Sequence, residues 1–566
     1  MQLHLRNPAR SRSQSSPVLW RIAVIALLAS TTAHAQDTTQ KIDKIFDWAT
    51  STTPGCACAV SQNGKVIASR GYGSADLERG TPITPDTRFD AGSLQKQFAA
   101  ASILLLVEEK RVSLSDDIHK YIPELPDYGH KVTIDHLLTH TSGIRDWTGL
   151  LPLSREKVDA LTAITRQRGL NFVPGEEFSY SNSGYVLAKE IVARVSGMPF
   201  SEFSRTRLFE PLGMKSSSYH ENMRDIVPNR AIAYQKGKDG YKTAMLIDEE
   251  RGGGGLLTTA NDLIIWSEAL AHNRLGKFVT DKMHEPATLN NGRKLEYARG
   301  IIVDKQRNVP FYWHSGSADG YKSMLVRFPN ENIAIAIMCN SGDGTDRADF
   351  AMNIFEMLVP RAEGETDDEP TPPVAARGVD TAALDLNSRV GLFLREKDGE
   401  PLQLAMQGPN LTIAGGPALV AQSQDRFKRW GNSTQFMSAD EFELHFVSAD
   451  ELEMKSMEGK ITRYHRAQPF SPTADDLQAI AGRYESDELG TVFVFQPGEG
   501  ALAGYIEHMG PGRSLQFRAI DRDTFQFSRM IARFQRDKAG KVVGLDYSNP
   551  AMRHVQFTRL SDPAKG

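Results

Sequence analysis

The 566-residue chain has only three cysteines, Cys56, Cys58 and Cys339. That is far too few for a disulfide-built scaffold, so apolar cores must hold the fold together. A surplus of either charge is also missing: 66 Lys and Arg stand against 70 Asp and Glu, a net charge of −4. Without a broad basic field, nucleic acid is excluded as a partner class, and a small-molecule or short-peptide substrate is expected. Apolar runs long enough to span a bilayer are lacking too; Ile22–Ala29, near the start, is too short. With Arg6, Arg10, Arg12 and Arg21 before it and Ala33-His34-Ala35 after it, this run reads as an export signal cut after Ala35. The expectation is a periplasmic or secreted protein with no stable membrane insertion after signal removal. No Cys follows the cut, which argues against a lipid anchor there. Cys56 and Cys58 alternate along an apparent strand and share a face, which favours buried thiols, with a bridge to Cys339 as the alternative. Nothing in the sequence specifies an oligomeric state.

A chain of this length holds roughly three or four domains' worth of material. Strand patterns at Cys56 to Val60 and Lys65 to Arg70 are joined by Asn63-Gly64, a strong hairpin turn. Two more, Ser323 to Phe328 and Ile333 to Met338, precede a helical pattern from Ala348 to Leu358. This arrangement predicts an antiparallel sheet whose early and late strands meet, with a helical subdomain inserted between them. Residues 363–382 are acidic and proline-rich and read as a linker. Beyond it, Val390-Gly391-Leu392-Phe393 is echoed by Ala481-Gly482-Arg483-Tyr484, and Asp425-Arg426-Phe427 by Asp521 to Phe525. The expected division is therefore a signal peptide over 1–35, a main domain over 36–362, the linker, and small β-barrels over 383–468 and 472–562.

The chemistry-bearing residues fall into three motifs. Ser93 and Lys96 lie three apart at a helix start, which puts hydroxyl and amine on one face, where the amine can take the hydroxyl proton. First-turn N–H groups favour an oxyanion there and help keep the amine neutral. Ser154 and Lys157 repeat the spacing but lie in a polar stretch that reads as a helix cap. The second motif is Tyr180-Ser181-Asn182, in which a phenol near two cations loses its proton easily and the asparagine can orient a carbonyl. Its duplicate, Tyr547-Ser548-Asn549, precedes Pro550 and reads as a turn. The third is His314-Ser315-Gly316-Ser317, where a glycine on a strand edge would let substrate approach and the next N–H could donate to an oxyanion. Taken alone, His314 reads as a satisfied strand histidine more readily than as a catalytic one. His136 and His140, at i, i+4 spacing, lack a third ligand and are assigned structural roles, so no metal is called. The run Gly252–Gly255 lacks the ending of a phosphate loop and reads as a tight turn near the cleft.

In this order and spacing, the three motifs resemble the penicillin-recognising serine hydrolases: class C β-lactamases, DD-carboxypeptidases, D-aminopeptidases and related esterases. The connecting text Thr133–Gly143 and Gly252–Ala260 is similar too, and the resemblance covers roughly residues 40 to 360. It implies an α/β fold, a β-lactamase-like antiparallel sheet flanked by helices, followed here by two small lipocalin-like barrels. It also implies that Ser93 forms an acyl-enzyme, that Lys96 and Tyr180 share the proton transfers, and that Asn182 holds substrate. The N–H groups of Ser93 and Ser317 would form the oxyanion hole beside Ser315 and Gly316, without cofactor or metal.

His314 stands where many members carry Lys, and a largely neutral side chain there disfavours strong β-lactamase activity. The layout with two tail barrels resembles D-aminopeptidases, in which a loop of the last barrel helps receive the substrate's free amine. The corresponding stretch is Tyr505 to Arg513, with Glu507 the candidate acid. The reading is an amidase or peptidase on D-amino-acid substrates. The alternatives are a β-lactamase or carboxylesterase of the same family, and a non-catalytic sensor of cell-wall fragments.

Overall fold

The computed structural model describes residues 38–245, 255–306, 309–342, 347–360 and 384–561, the last with short breaks at 398, 414–418, 430–441, 457–458 and 469. The export signal and the linker expected from the sequence lie outside the described residues. The strands β1 (Cys56–Gln62) and β2 (Lys65–Tyr72) are joined by Asn63 and Gly64, both at positive φ (53° and 72°), as a tight hairpin turn demands. The three-stranded ladder that leads to the candidate nucleophile comprises β3 (Phe89–Asp90), β4 (Ser218–His220) and β5 (Gly255–Thr258), with β5 in the middle. Late in the domain come β6 (Ile302–Gln306), β7 (Val309–Ala318), β8 (Tyr321–Phe328) and β9 (Ile333–Cys339). The main sheet has the antiparallel order β6-β7-β8-β9-β1-β2, so the first strand lies beside the last, as the sequence predicted.

Helices cover both faces of this sheet, so its central strands are apolar throughout. Alternate residues feed two separate cores. Ala57, Ala59, Ala334, Ala336 and Met338 face a core containing Phe98, Leu104 and Trp266. Cys56, Cys58, Ile333, Ile335 and Ile337 face a second one with Ile42, Phe46 and Phe355. Small alanines on the first face let the helix Ala260–Ala271 come close, and its Trp266 packs in turn on Phe98 of α1 (Gln95–Glu108). The remaining helices that matter for the site are α2 (Ile134–Leu138), α3 (Trp147–Leu150) and α4 (Asn182–Ser196). Register places Cys56 opposite Cys339, and the two form a disulfide closing 283 residues of chain. Only Cys58 is therefore a buried thiol, pushed up to about 12 by desolvation, and the alternative left open by the sequence is the one adopted for Cys56.

The tail contains two eight-stranded units. The second, Gly482–Ser486 through Met552–Arg559, is a closed barrel. The first is an eight-stranded sheet running from Asn410–Ile413 at one end to Val420–Ala421 at the other. Its ladder does not close among the described residues, although Leu419 N donates to Leu411 O across 2.8 Å. The sequence echo has a physical counterpart: a guanidinium from the last strand lies over the first strand's aromatic ring in both, Arg466 over Phe393 and Arg559 over Tyr484. Among the described residues, no helix is long and apolar enough to cross a membrane.

A disulfide closing so long a loop chiefly restricts the unfolded chain. Replacing Cys56 and Cys339 together by Ala is expected to lower stability by about 2–5 kcal/mol, read as a fall in Tm. Cys58 should resist thiol reagents until the chain unfolds.

Candidate active site

Ser93 sits in a single 3₁₀ turn, Gly92–Leu94, that runs directly into α1. The turn is fixed from three sides. Asp90 Oδ1 accepts from Gly92 N (2.8 Å), and Ala91 N donates to Leu256 O (2.9 Å). Ser323 Oγ donates to Ala91 O (2.7 Å). Gly92 has φ +54°, and a Cβ there would lie 2.5 Å from Ser317 N, so only glycine lets β7 reach this close to the nucleophile. A Cβ at Gly316 would lie 1.9 Å from Ala91 O. The bareness of Gly316 therefore serves the packing of β7 on the Ser93 turn, which replaces the expectation that it admits substrate. The open edge is real all the same: β6 pairs with β7 only over Val309–Trp313, leaving residues 314–318 without that neighbour strand.

One helical turn beyond Ser93, Lys96 is 3% exposed, and its Nζ lies 3.1 Å from Ser93 Oγ and 2.8 Å from Asn182 Oδ1. Desolvation brings its pKa down to about 7, the nearby Asp146 carboxylate pulling weakly the other way. Asn182 is the first residue of α4, and Asp146 Oδ2 accepts from both its backbone N (2.9 Å) and its Nδ2 (3.0 Å). Asp146 is 7% exposed and caps α3 by accepting from Thr148 N. Sequence reasoning missed it; the only signal was a pair of charges, Arg145-Asp146, set between Ile144 and Trp147.

Tyr180 arches over Lys96, the amine 4.7 Å from its ring centre. Its hydroxyl is buried beside Ser93 without a well-formed hydrogen bond. Burial raises its pKa, with Asp146 adding to the rise, so the phenol stays protonated. This overturns the expectation of an easily ionised phenol near two cations, because burial of the phenol itself dominates. His314 is likewise desolvated, with a pKa lowered to about 3. Its Nδ1 faces Ser315 O (2.6 Å), which can only accept, so Nδ1 carries the proton and Nε2 is left to accept from Tyr297 Oη at 3.2 Å. His140 packs its ring on Tyr180, 4.2 Å between centres, and its Nδ1 accepts from Ser181 N (3.1 Å). Tyr297, whose position in a loop gave no sequence signal, stacks on His140 as well.

The structure thus gathers Ser93, Lys96, Tyr180, Asn182, His314 and the backbone of Ser317, with Ser315 and Gly316 in the adjoining strand. Glu507 is not gathered with them. Its carboxylate is held bidentate by Arg483 of its own barrel (2.6 and 2.9 Å), so receiving a substrate ammonium would cost that ion pair. His136 and His140 do not share a helix face, because α2 ends at Leu138. His136 closes a capping box with Thr133, while His140 follows with φ +58°. Gly255 begins β5 rather than a turn, and Gly252–Gly254 lie outside the described residues. Ser154 ends a 3₁₀ turn instead of capping a helix start, and Asn549 does form a turn, accepting from Ala551 N and Met552 N.

Residues 39–358 match the family described as Beta-lactamase. Over 386 residues the chain is 27% identical to penicillin-binding protein 4* of Bacillus subtilis, covering 62% of this chain and 82% of that one. It is 23% identical over 543 residues to D-aminopeptidase of Brucella ovis, covering 90% and 96%. Among solved structures, D-amino acid amidase from Ochrobactrum anthropi SV3 complexed with L-phenylalanine amide superposes with a TM-score of 0.50 at 25% identity, over 57% of this chain and 98% of that one.

Lys96 must be uncharged to take a proton. Acylation of Ser93 by an activated ester is therefore expected to rise with pH, pass half-maximum near the Lys96 value of about 7, and then level off. Lys96→Arg, which stays charged, should lower the rate roughly 10²–10⁴-fold in the same stopped-flow measurement.

Proposed function

Because the chain belongs to the β-lactamase family, we propose that this serine hydrolase is exported and works through an acyl-enzyme on Ser93, cleaving amides or peptides that contain D-amino acids. The observation that carries the acyl-enzyme step is the pairing of Ser93 with an amine 3.1 Å away whose pKa is about 7. As Ser93 Oγ bonds to the substrate carbonyl carbon, its proton passes to Lys96 Nζ. The carbonyl oxygen then gathers negative charge against the N–H groups of Ser93 and Ser317. When the carbon–nitrogen bond breaks, the Tyr180 hydroxyl gives its proton to the leaving amine and regains one from Lys96. Water hydrolyses the acyl group by the reverse relay, returning Ser93 to its hydroxyl form.

Two observations support an amide of this kind over a β-lactam. The uncharged His314 supplies no fixed cation for a substrate carboxylate beside the nucleophile. Similarity to a D-aminopeptidase continues through the tail, over 90% of the chain. A carboxylesterase would use the same acyl-enzyme, and the neutral pocket wall suits an ester equally. Export agrees with a disulfide in the main domain, since such bonds persist in oxidising compartments.

Mass spectrometry of intact protein after exposure to an activated ester, a penicillin and a D-alanine amide separates these readings. The expected result is a Ser93-dependent adduct, absent from Ser93→Ala, that clears fastest with the amide-derived acyl group. A long-lived penicillin adduct alone would instead identify a penicillin-binding protein without amidase turnover.

A further inference from the structure

Asn182 can present either end of its amide to Lys96, and only one end suits catalysis. A neutral amine has two N–H donors and one lone pair. With Asn182 Oδ1 accepting one N–H, the lone pair is left for the Ser93 proton. With the amide reversed, its NH₂ would compete for that lone pair. Asp146 decides between the two, because its carboxylate accepts from Asn182 Nδ2 and thereby turns Oδ1 toward Lys96. The direction of the proton transfer therefore depends on where the Asp146 loop is held.

That loop is held on one side by α4, whose Ser183 Oγ accepts from Trp147 N (2.9 Å) and donates to Arg145 O (2.7 Å), and on the other by the C-terminal barrel, whose last strands are β10 (Val542–Asn549) and β11 (Met552–Arg559). Asp146 N donates to Ala551 O (3.1 Å), at the turn between them. The preceding residue, Arg145, is 2% exposed and ion-paired with Glu488 Oε2 (2.5 Å), itself 7% exposed. Other donors of the same guanidinium reach Arg553 O (3.1 Å) and His554 O (3.0 Å), both on β11, and Gln167 Oε1 (3.2 Å) in the main domain. On the other side of Asp146, α3 carries Leu150 into the barrel's own apolar core. A Cβ at Gly149 would come within 2.3 Å of Ala551 Cβ, so this contact is already as close as a glycine allows. The barrel thus touches the chain immediately before Asp146, at it and one helical turn after it.

We propose that the C-terminal barrel is a positioning element of the catalytic machinery, with Glu488 and the turn Asn549–Met552 as the positioning residues, acting through Asp146 and Asn182 on Lys96. This rests on the acyl-enzyme reading above and adds to it a function for the tail that involves no contact with substrate.

The test uses full-length protein and the burst of product released from an activated ester. Burst amplitude counts competent sites, whereas burst rate reports how well each site is aligned. Glu488→Gln leaves the Arg145 charge unpaired and frees the loop. It is expected to keep the amplitude per folded molecule, hold the apparent substrate affinity within about twofold and slow the burst roughly tenfold. Glu488→Asp should restore part of the rate. Asn549→Ala, which loosens the turn carrying Ala551, should slow the burst about threefold. A purely structural contact would lower Tm or amplitude and leave the rate untouched; that pattern in Glu488→Gln and Asn549→Ala overturns the proposal. If Glu488→Gln does not fold, the Asn549→Ala rate decides in the same way. A wild type that forms no Ser93 adduct overturns the hydrolase reading and this proposal with it, while equal bursts in all variants overturn this proposal alone.

Discussion

Everything at this site depends on keeping one amine out of water. In solution a lysine would be charged at neutral pH and useless as a base. Desolvation by the buried first turn of α1 and the rings of Tyr180 and Tyr185 lowers its pKa to about 7, so that a large share of the amine is free to act at neutral pH. The same dryness keeps Tyr180 protonated and His314 neutral, so the pocket holds donors and acceptors of defined sense rather than a mixture of charges. Such an arrangement is costly to assemble. The molecule accordingly surrounds it with two layers of packing, the apolar body of α1 on one side and an aromatic group built on His140 on the other.

The main sheet's role follows from that need. Its alanine face seats the helix Ala260–Ala271, whose Trp266 packs on Phe98 of α1, so Lys96 lies buried while Ser93, three residues earlier, remains partly exposed. The close approach of β7 to the Ser93 turn, paid for by Gly92 and Gly316, brings Ser317 N to the one place where it can face a carbonyl oxygen. A bulkier residue at either glycine would separate the nucleophile from the strand that completes the pocket.

Much of this could be read directly from the residues. Alternation and turn chemistry located β1, β2, β8 and β9 within a residue or two, because strands in a buried sheet carry strong local patterns. Ser93, Lys96, Tyr180, Asn182 and His314 were legible because each sits in a short motif whose residue types have a chemical reason to occur together. Asp146 and Tyr297 were not, since they act from loops where no periodicity marks a contact made across the fold. The ionisation of Tyr180 was misjudged for a related reason: the phenol is held protonated by its own burial, and burial is a property of the folded chain. Glu507 failed differently, through a partner, Arg483, that lies 24 residues away in sequence and only the barrel's pairing brings near.

The staple between Cys56 and Cys339 gives the chain the topology of a padlock. All five side chains of the motifs lie on the shackle between the two sulfurs, and both tail units hang from one end beyond it. A protease cut anywhere within the shackle would leave both pieces covalently attached, whereas a cut after the last helix would leave the tail held by non-covalent contacts alone. Material can accordingly be added or exchanged at that end without rethreading the hydrolase. What such an exchange would have to conserve is a small plug at Leu150 and Leu153, where the tail's interior and the shackle share a core, together with the Arg145–Glu488 pair beside it.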